Sequence, residues 1–107
     1  MERIDKKLKF NTLLATYGAL LSSTQKEILE SYYFYDLSIS EIANERNVSR
    51  AAIEDALQKG NQKLEEYESL LHLLDKKEEL TILLNEMKNQ TQDEEILNII
   101  EEMERKL

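Results

Sequence analysis

Apolar residues recur at helical spacing along nearly the whole chain. Ile4, Leu8, Leu14, Tyr17 and Leu21 form a first stripe, widened by Phe10, Leu13 and Leu20, and predict a helix from about Ile4 to Leu20. Ser22-Ser23-Thr24 interrupts the pattern. Thr24 and Glu27 have the spacing of a capping box, in which each side chain bonds the other residue's backbone N–H; Ser23 is an alternative cap. A second helix runs from there to about Phe34, burying Ile28, Leu29, Tyr32 and Tyr33. Tyr32, Tyr33, Phe34 and Tyr35 are the one aromatic cluster, expected to fill the core beneath the next pair of helices.

The stretch from Leu37 to Leu57 has the outline of a helix-turn-helix. Ser38 and Glu41 make a second capping box and start a short helix ending near Arg46. Ile39, Ile42 and Ala43 face inward, and small Ala43 permits a close crossing of the two motif helices. Asn47 occupies the turn position that needs a left-handed backbone, which Asn tolerates better than most residues. Val48 is expected to plug the turn into the core, and Ser49 to cap the helix that begins at Arg50. The stem of Arg46 is expected to cover the core while its guanidinium reaches solvent.

Beyond the motif, Ile53, Leu57, Gly60, Leu64, Tyr67, Leu71 and Leu74 are spaced four, three, four, three, four and three residues apart. This heptad seam predicts one long helix to about Leu74. Gly60 on the seam predicts either the close approach of another helix or a kink. The seam packs either on the N-terminal helix or on a second copy, and a homodimer is the expected assembly. Asp75 to Lys77 read as a bend or a short break. Leu80, Leu83, Leu84 and Met87 mark a further helix, and Asn89-Gln90-Thr91-Gln92 a loop. Thr91 and Glu94 form a third capping box, opening a last helix with Ile96, Ile99, Ile100, Met103 and Leu107 on one face. These two helices are expected to form a hairpin that leaves an apolar face in need of cover. The expected fold is therefore all-α: a helix-turn-helix domain over residues 1–74 with a long recognition helix, and an acidic helical hairpin over residues 75–107.

Charge and missing residue types narrow the function. Residues 1–60 carry eight Lys/Arg against nine Asp/Glu, and residues 61–107 six against thirteen. The acidic second half argues for a solvated surface or a basic partner, and an acidic chain is a poor default binder of phosphates. The chain has no Cys, which excludes disulfides and thiolate metal sites. His72 is the single histidine, with no second ligand near it in sequence, so no metal or other cofactor is expected. No phosphate loop or nucleophile–base pattern is present, so no catalysis is expected. No apolar run succeeds the first residues and none approaches the ~20 residues that span a bilayer; a cytoplasmic protein without signal peptide or membrane insertion is expected.

The residues Asn11, Leu37-Ser38, Glu41-Ile42-Ala43, Val48-Ser49-Arg50, Ala52-Ile53, Asp55 and Leu64-Glu65-Glu66-Tyr67-Glu68 carry a resemblance to a known family. The segment from Leu21 to Tyr67 resembles the helix-turn-helix of bacterial sigma-factor region 4, and the whole order of elements resembles the small YlxM family. That resemblance implies a DNA-binding or regulatory protein. It also implies an accessory role beside the signal recognition particle GTPase or its RNA. As a DNA reader the chain would present Ser49, Arg50, Gln58, Lys59 and Lys63, with Arg50 suited to guanine or phosphate and Gln58 to adenine. Ala51 offers no polar reader, and Glu54 and Asp55 on the same face repel phosphate. As a scaffold for protein contacts it would use Tyr67, Leu71, Leu74, Leu84 and Met87.

Overall fold

A computed structural model describes the backbone of residues 2–107 and the side chains from Asp5 onward; the side chain of Ile4, placed on the first apolar stripe, lies outside the described residues. Six helices succeed one another: α1 (Glu2–Tyr17), α2 (Ser23–Tyr33), α3 (Ile39–Arg46), α4 (Arg50–Leu71), α5 (Leu73–Gln90) and α6 (Glu94–Lys106). The chain divides into two compact units, the first ending at Leu71 and the second spanning His72–Leu107.

The first unit has its core where α1, α2, α3 and α4 meet. Phe10, Leu13, Leu14 and Tyr17 of α1 are buried with Ile28, Leu29 and Tyr33 of α2, Ile42 and Ala43 of α3, and Ile53, Leu57 and Leu64 of α4. The heptad seam is thus covered by the chain's own helices from Ile53 to Leu64. At Gly60 the approach is closest. A Cβ built there would lie 2.7 and 2.8 Å from the two Cδ atoms of Leu29, whose side chain is 0% exposed.

Several boundaries differ from the sequence expectation, each for a local reason. The first helix stops at Tyr17 and continues as a 3-10 turn over Gly18–Leu20. That tightening turns Leu21 into the core and leaves Leu20 exposed. The cap of α2 is Ser22, whose hydroxyl accepts from Gln25 N–H at 3.2 Å, rather than Thr24 or Ser23. Within the aromatic cluster only Tyr33 is buried. Tyr32 is half-buried and Tyr35 is 71% exposed. Asp36, at φ 53°, takes the left-handed position that ends α2. The long helix α4 ends at Leu71, three residues short of Leu74, because the backbone turns left-handed at His72. The expected bend at Asp75 to Lys77 therefore falls inside α5.

In the second unit, α5 and α6 pack across the Thr91–Asp93 turn. Leu84 and Ile100 are its buried apolar side chains. The cap of α6 is Asp93, which accepts from Glu95 N–H at 2.9 Å. Thr91 caps nothing in the helix; its hydroxyl accepts from Asp93 N–H at 3.2 Å and shapes the turn instead. Lys88 meets Glu104 at 2.7 Å.

The Gly60 contact yields a stability prediction. Ala is the better helix former by about 1 kcal/mol, yet in Gly60→Ala both Leu29 methyls must move, and rotating one away brings the other closer. Overpacking costs about 1–3 kcal/mol, so Gly60→Ala should lower the urea midpoint without changing the m-value. An unchanged or higher midpoint would show that Leu29 yields freely.

Candidate nucleic-acid interface

The helix-turn-helix is built from local bonds. Ser38 Oγ accepts from Glu41 N–H at 3.1 Å, and Glu41 Oε1 accepts from Ser38 N–H at 3.0 Å, completing the capping box of α3. These bonds to Ser38, backbone first, hold the Glu41 carboxyl below its ordinary pKa. Asn47 is left-handed at φ 55° and ψ 45°. Its geometry lets Val48 N–H bond Ala43 O at 3.1 Å, closing the turn through backbone. Val48 itself is 45% exposed, so its side chain does not plug the core as expected. Ser49 Oγ accepts from Ala52 N–H at 3.1 Å and starts α4. Arg46 is partly covered, and its guanidinium reaches Glu27 of α2 at 3.3 Å rather than open solvent.

Other polar contacts fix α1 against the motif. Asn11 Nδ2 donates to Tyr33 O at 3.1 Å, satisfying a carbonyl at the end of α2. Lys7 pairs with Asp36 at 2.8 Å and lies 5.0 Å from the centre of the Tyr32 ring. Tyr33 donates to Asn61 Oδ1 at 3.0 Å. Burial pushes the Tyr33 hydroxyl's pKa up, against the lowering effect of the Asn61 bond. Tyr17 donates to a Glu68 carboxylate oxygen.

The five residues expected to face DNA do not form one basic surface. The Ser49 hydroxyl is engaged in the cap. Lys59 pairs with Asp55 one turn back at 3.0 Å. Lys63 donates to Gln25 Oε1 at 3.3 Å, which ties it to α2. Gln58 is exposed and, with Glu54, lines a cleft against Lys6 and Phe10 of α1 and Ile39 of α3. Arg50 is exposed in the first turn of α4 and has no ion pair among the described residues.

Of the residues expected to contact protein, Tyr67 and Leu71 belong to the first unit and Leu74, Leu84 and Met87 to the second. Tyr67 is half-buried; its hydroxyl donates to Leu20 O at 3.3 Å and its ring lies 6.0 Å from that of Tyr17. Leu71 and Met87 are exposed, Leu74 is half-buried, and Leu84 is buried at 7% exposure. Charge pattern alone assigns Lys6 to a solvated face, whereas Lys6 and Asn61 line the clefts on either side of Leu57. The available signal is the Lys6-Lys7-Lys9 cluster, placed at the helix end where cations are least favoured.

An all-α fold whose centre is a doubly capped helix-turn-helix defines the class of protein. Comparison with known families narrows it. Residues 4–105 match the family described as "Putative helix-turn-helix protein, YlxM / p13 like". The chain belongs to that family, UPF0122. It is 37% identical over 106 residues to the UPF0122 protein YlxM of Bacillus subtilis, covering 95% of this chain and 96% of that one. It is 42% identical over 85 residues to a UPF0122 protein of Shouchella clausii, covering 79% and 78%. A Mycoplasma capricolum UPF0122 protein is 36% identical over 101 residues, covering 94% and 89%. Among the described residues no helix is long and apolar enough to cross a membrane.

The capping box gives a pH prediction. The folded pKa of Glu41 lies below its ordinary value of 4.5. Its stabilising contribution is therefore complete above that value and is lost as pH falls through the lower folded value. The gap in urea midpoint between wild type and Glu41→Gln should be full at about pH 6 and shrink progressively as pH falls below the ordinary value of 4.5. A gap of constant size would show that the carboxylate charge is not what caps α3.

Proposed function

We propose that this protein is a non-enzymatic, cytoplasmic regulatory adaptor that uses its helix-turn-helix as a scaffold. The observation that carries this reading is the charge of the motif's outer surface. Lys59 is paired with Asp55 and Arg46 with Glu27, while the carboxylates of Glu41, Glu45 and Glu54 are exposed. Phosphate binding needs several free cations on one face, and on α3 and α4 only Arg50 and Lys63 have no ion pair among the described residues, Lys63 being turned toward Gln25 of α2. Residues 72–107 carry ten Asp/Glu against five Lys/Arg, which suits a basic protein or ribonucleoprotein partner. The family resemblance points to the signal recognition particle GTPase or its RNA as that partner. The adaptor acts as a homodimer in this reading.

A second reading is a sequence-specific DNA-binding regulator. The exposure of Arg50 at the start of α4 favours it, since the first turn of a recognition helix is where base edges are met. One titration separates the two. The purified signal recognition particle and genomic duplex fragments are each added to the labelled protein at about 50 and 200 mM salt. The adaptor reading expects saturable binding to the particle that survives Arg50→Ala, and no duplex binding at the lower salt. Selective duplex binding that weakens steeply with salt and disappears in Arg50→Ala would replace it with the DNA-binding reading.

A further inference from the structure

The second unit is 36 residues long, and Leu84 and Ile100 are its buried apolar side chains. Below roughly 40 residues a chain rarely buries enough apolar surface to hold a fold alone. The same unit exposes Leu80, Leu83 and Met87 on α5 and Ile96, Ile99 and Met103 on α6, Ile99 at 56%. Each trio keeps to one helical face, offset from the buried line through Leu84 or Ile100. Viewed along antiparallel helices, the two offsets run in opposite senses and bring both trios to the same side of the layer. The hairpin therefore has one continuous apolar face.

We propose that this face is where two copies of the chain meet, hairpin against hairpin as a four-helix bundle, with each α6 antiparallel to the α6 of the other copy. This deepens the adaptor reading, on which it rests for the homodimer, by assigning the dimer to α5 and α6. The heptad seam of α4 is not the contact, since α1 and α2 already cover it from Ile53 to Leu64.

Three observations select a second copy over a different protein. First, the ends of α6 are charged in complementary fashion. Glu94 and Glu95 lie in its first turn and Arg105 and Lys106 in its last. All four are exposed, and none has an ion pair among the described residues. In an antiparallel pair each acidic end meets the basic end of the other copy, and the two-fold axis makes the match twice. Second, the register that sets Glu95 beside Lys106 also places Ile96 against Met103 and Leu107 of the other copy. Third, the face is wholly aliphatic, and residues 72–107 contain no Phe, Tyr or Trp. Contacts between different proteins concentrate their energy in Trp, Tyr and Arg, whereas bundle seams are built from aliphatic knobs. Doubled by the axis, six side chains of this size supply on the order of 1,000 Å² of buried surface, which reaches the range of a specific interface.

The test is mass in solution, by light scattering across a concentration series, with no nucleic acid or targeting particle present. Its outcome is thus independent of which ligand the adaptor binds. The wild-type chain should weigh twice its 12.6 kDa. Ile99→Glu should raise the dimer Kd by at least about tenfold, a cost of about 1.4 kcal/mol, and the Tyr fluorescence should stay unchanged because all five Tyr lie in the first unit. Lys106→Glu and Glu95→Lys are surface changes that leave folding intact. Each alone should weaken the dimer roughly threefold to fivefold, and an equimolar mixture of the two should give a mixed dimer as tight as wild type by native mass spectrometry. The charge pair decides the matter if Ile99→Glu unfolds the hairpin. A single-chain mass at every concentration would overturn the proposal. So would a dimer unmoved by Ile99→Glu, or a charge-swapped mixture that is no tighter than either variant.

Discussion

The first unit depends on the distance between α2 and α4 at one point. Gly60 has no side chain, and Leu29 fills the space that one would take, its methyl carbons within 3 Å of where a Cβ would stand. A helix approaching that closely buries Ile53, Leu57 and Leu64 where α4 meets α1, α2 and α3. The helix-turn-helix is therefore not a free-standing motif. Its second helix is positioned by contacts made beyond its recognition turns, and α3 is then fitted to it by the small Ala43 and the buried Ile42. The glycine costs helix propensity in a 22-residue helix; the packing it permits along α2 offsets that cost.

The elements with a single local solution were legible in the sequence. Ser38 and Glu41 form their capping box with no competing polar neighbour at the same distance, and Asn47 is the one residue in its turn that tolerates φ near 55°. The other two capping assignments failed where neighbours competed. In Ser22-Ser23-Thr24 all three hydroxyls can cap, and the choice falls to Ser22 because the Gly18–Leu20 turn delivers the chain early. Near Thr91, Asp93 accepts from two N–H groups of the first turn and takes the cap. Val48 departs from expectation for a related reason. A hydrophobic side chain in a turn looks like a plug, but here the left-handed Asn47 aims Val48 outward and backbone closes the turn. Apolar pattern reports which residues suit a core, not which of two adjacent ones the backbone admits, and Tyr32 and Tyr33 make the same point.

The candidate interface was less legible than the fold, because a cation's role depends on partners distant in sequence. Lys63 reads as an outward base contact until Gln25, thirty-eight residues earlier, is seen holding its ammonium. Arg46 and Glu27 are another such pair, as are Lys7 and Asp36. Within the helix-turn-helix, the ion pair visible from spacing is Asp55 with Lys59, four residues apart on one helix. Each of these contacts ties a cation to another helix or along its own. The helix-turn-helix thus has two of its four cations, Arg46 and Lys59, in ion pairs with its own chain.

The two apolar seams show why one residue pattern has two outcomes. Along α4 the repeat contains Gly60, a gap that only a neighbour already close by can fill, and α2 and α1 come before it in the chain. Along α5 and α6 the repeat has no gap. Leu80, Leu83, Met87, Ile96, Ile99 and Met103 are all large, and they remain open to solvent. Large aliphatic side chains on a two-helix layer cannot bury one another, because each helix covers only the side of its neighbour that faces it. A layer of this kind becomes stable when a second layer closes it. The carboxylates at one end of α6 and the cations at the other favour a layer that is its own image turned end for end. Burial demand and charge order thus point to the same partner from independent features of the hairpin.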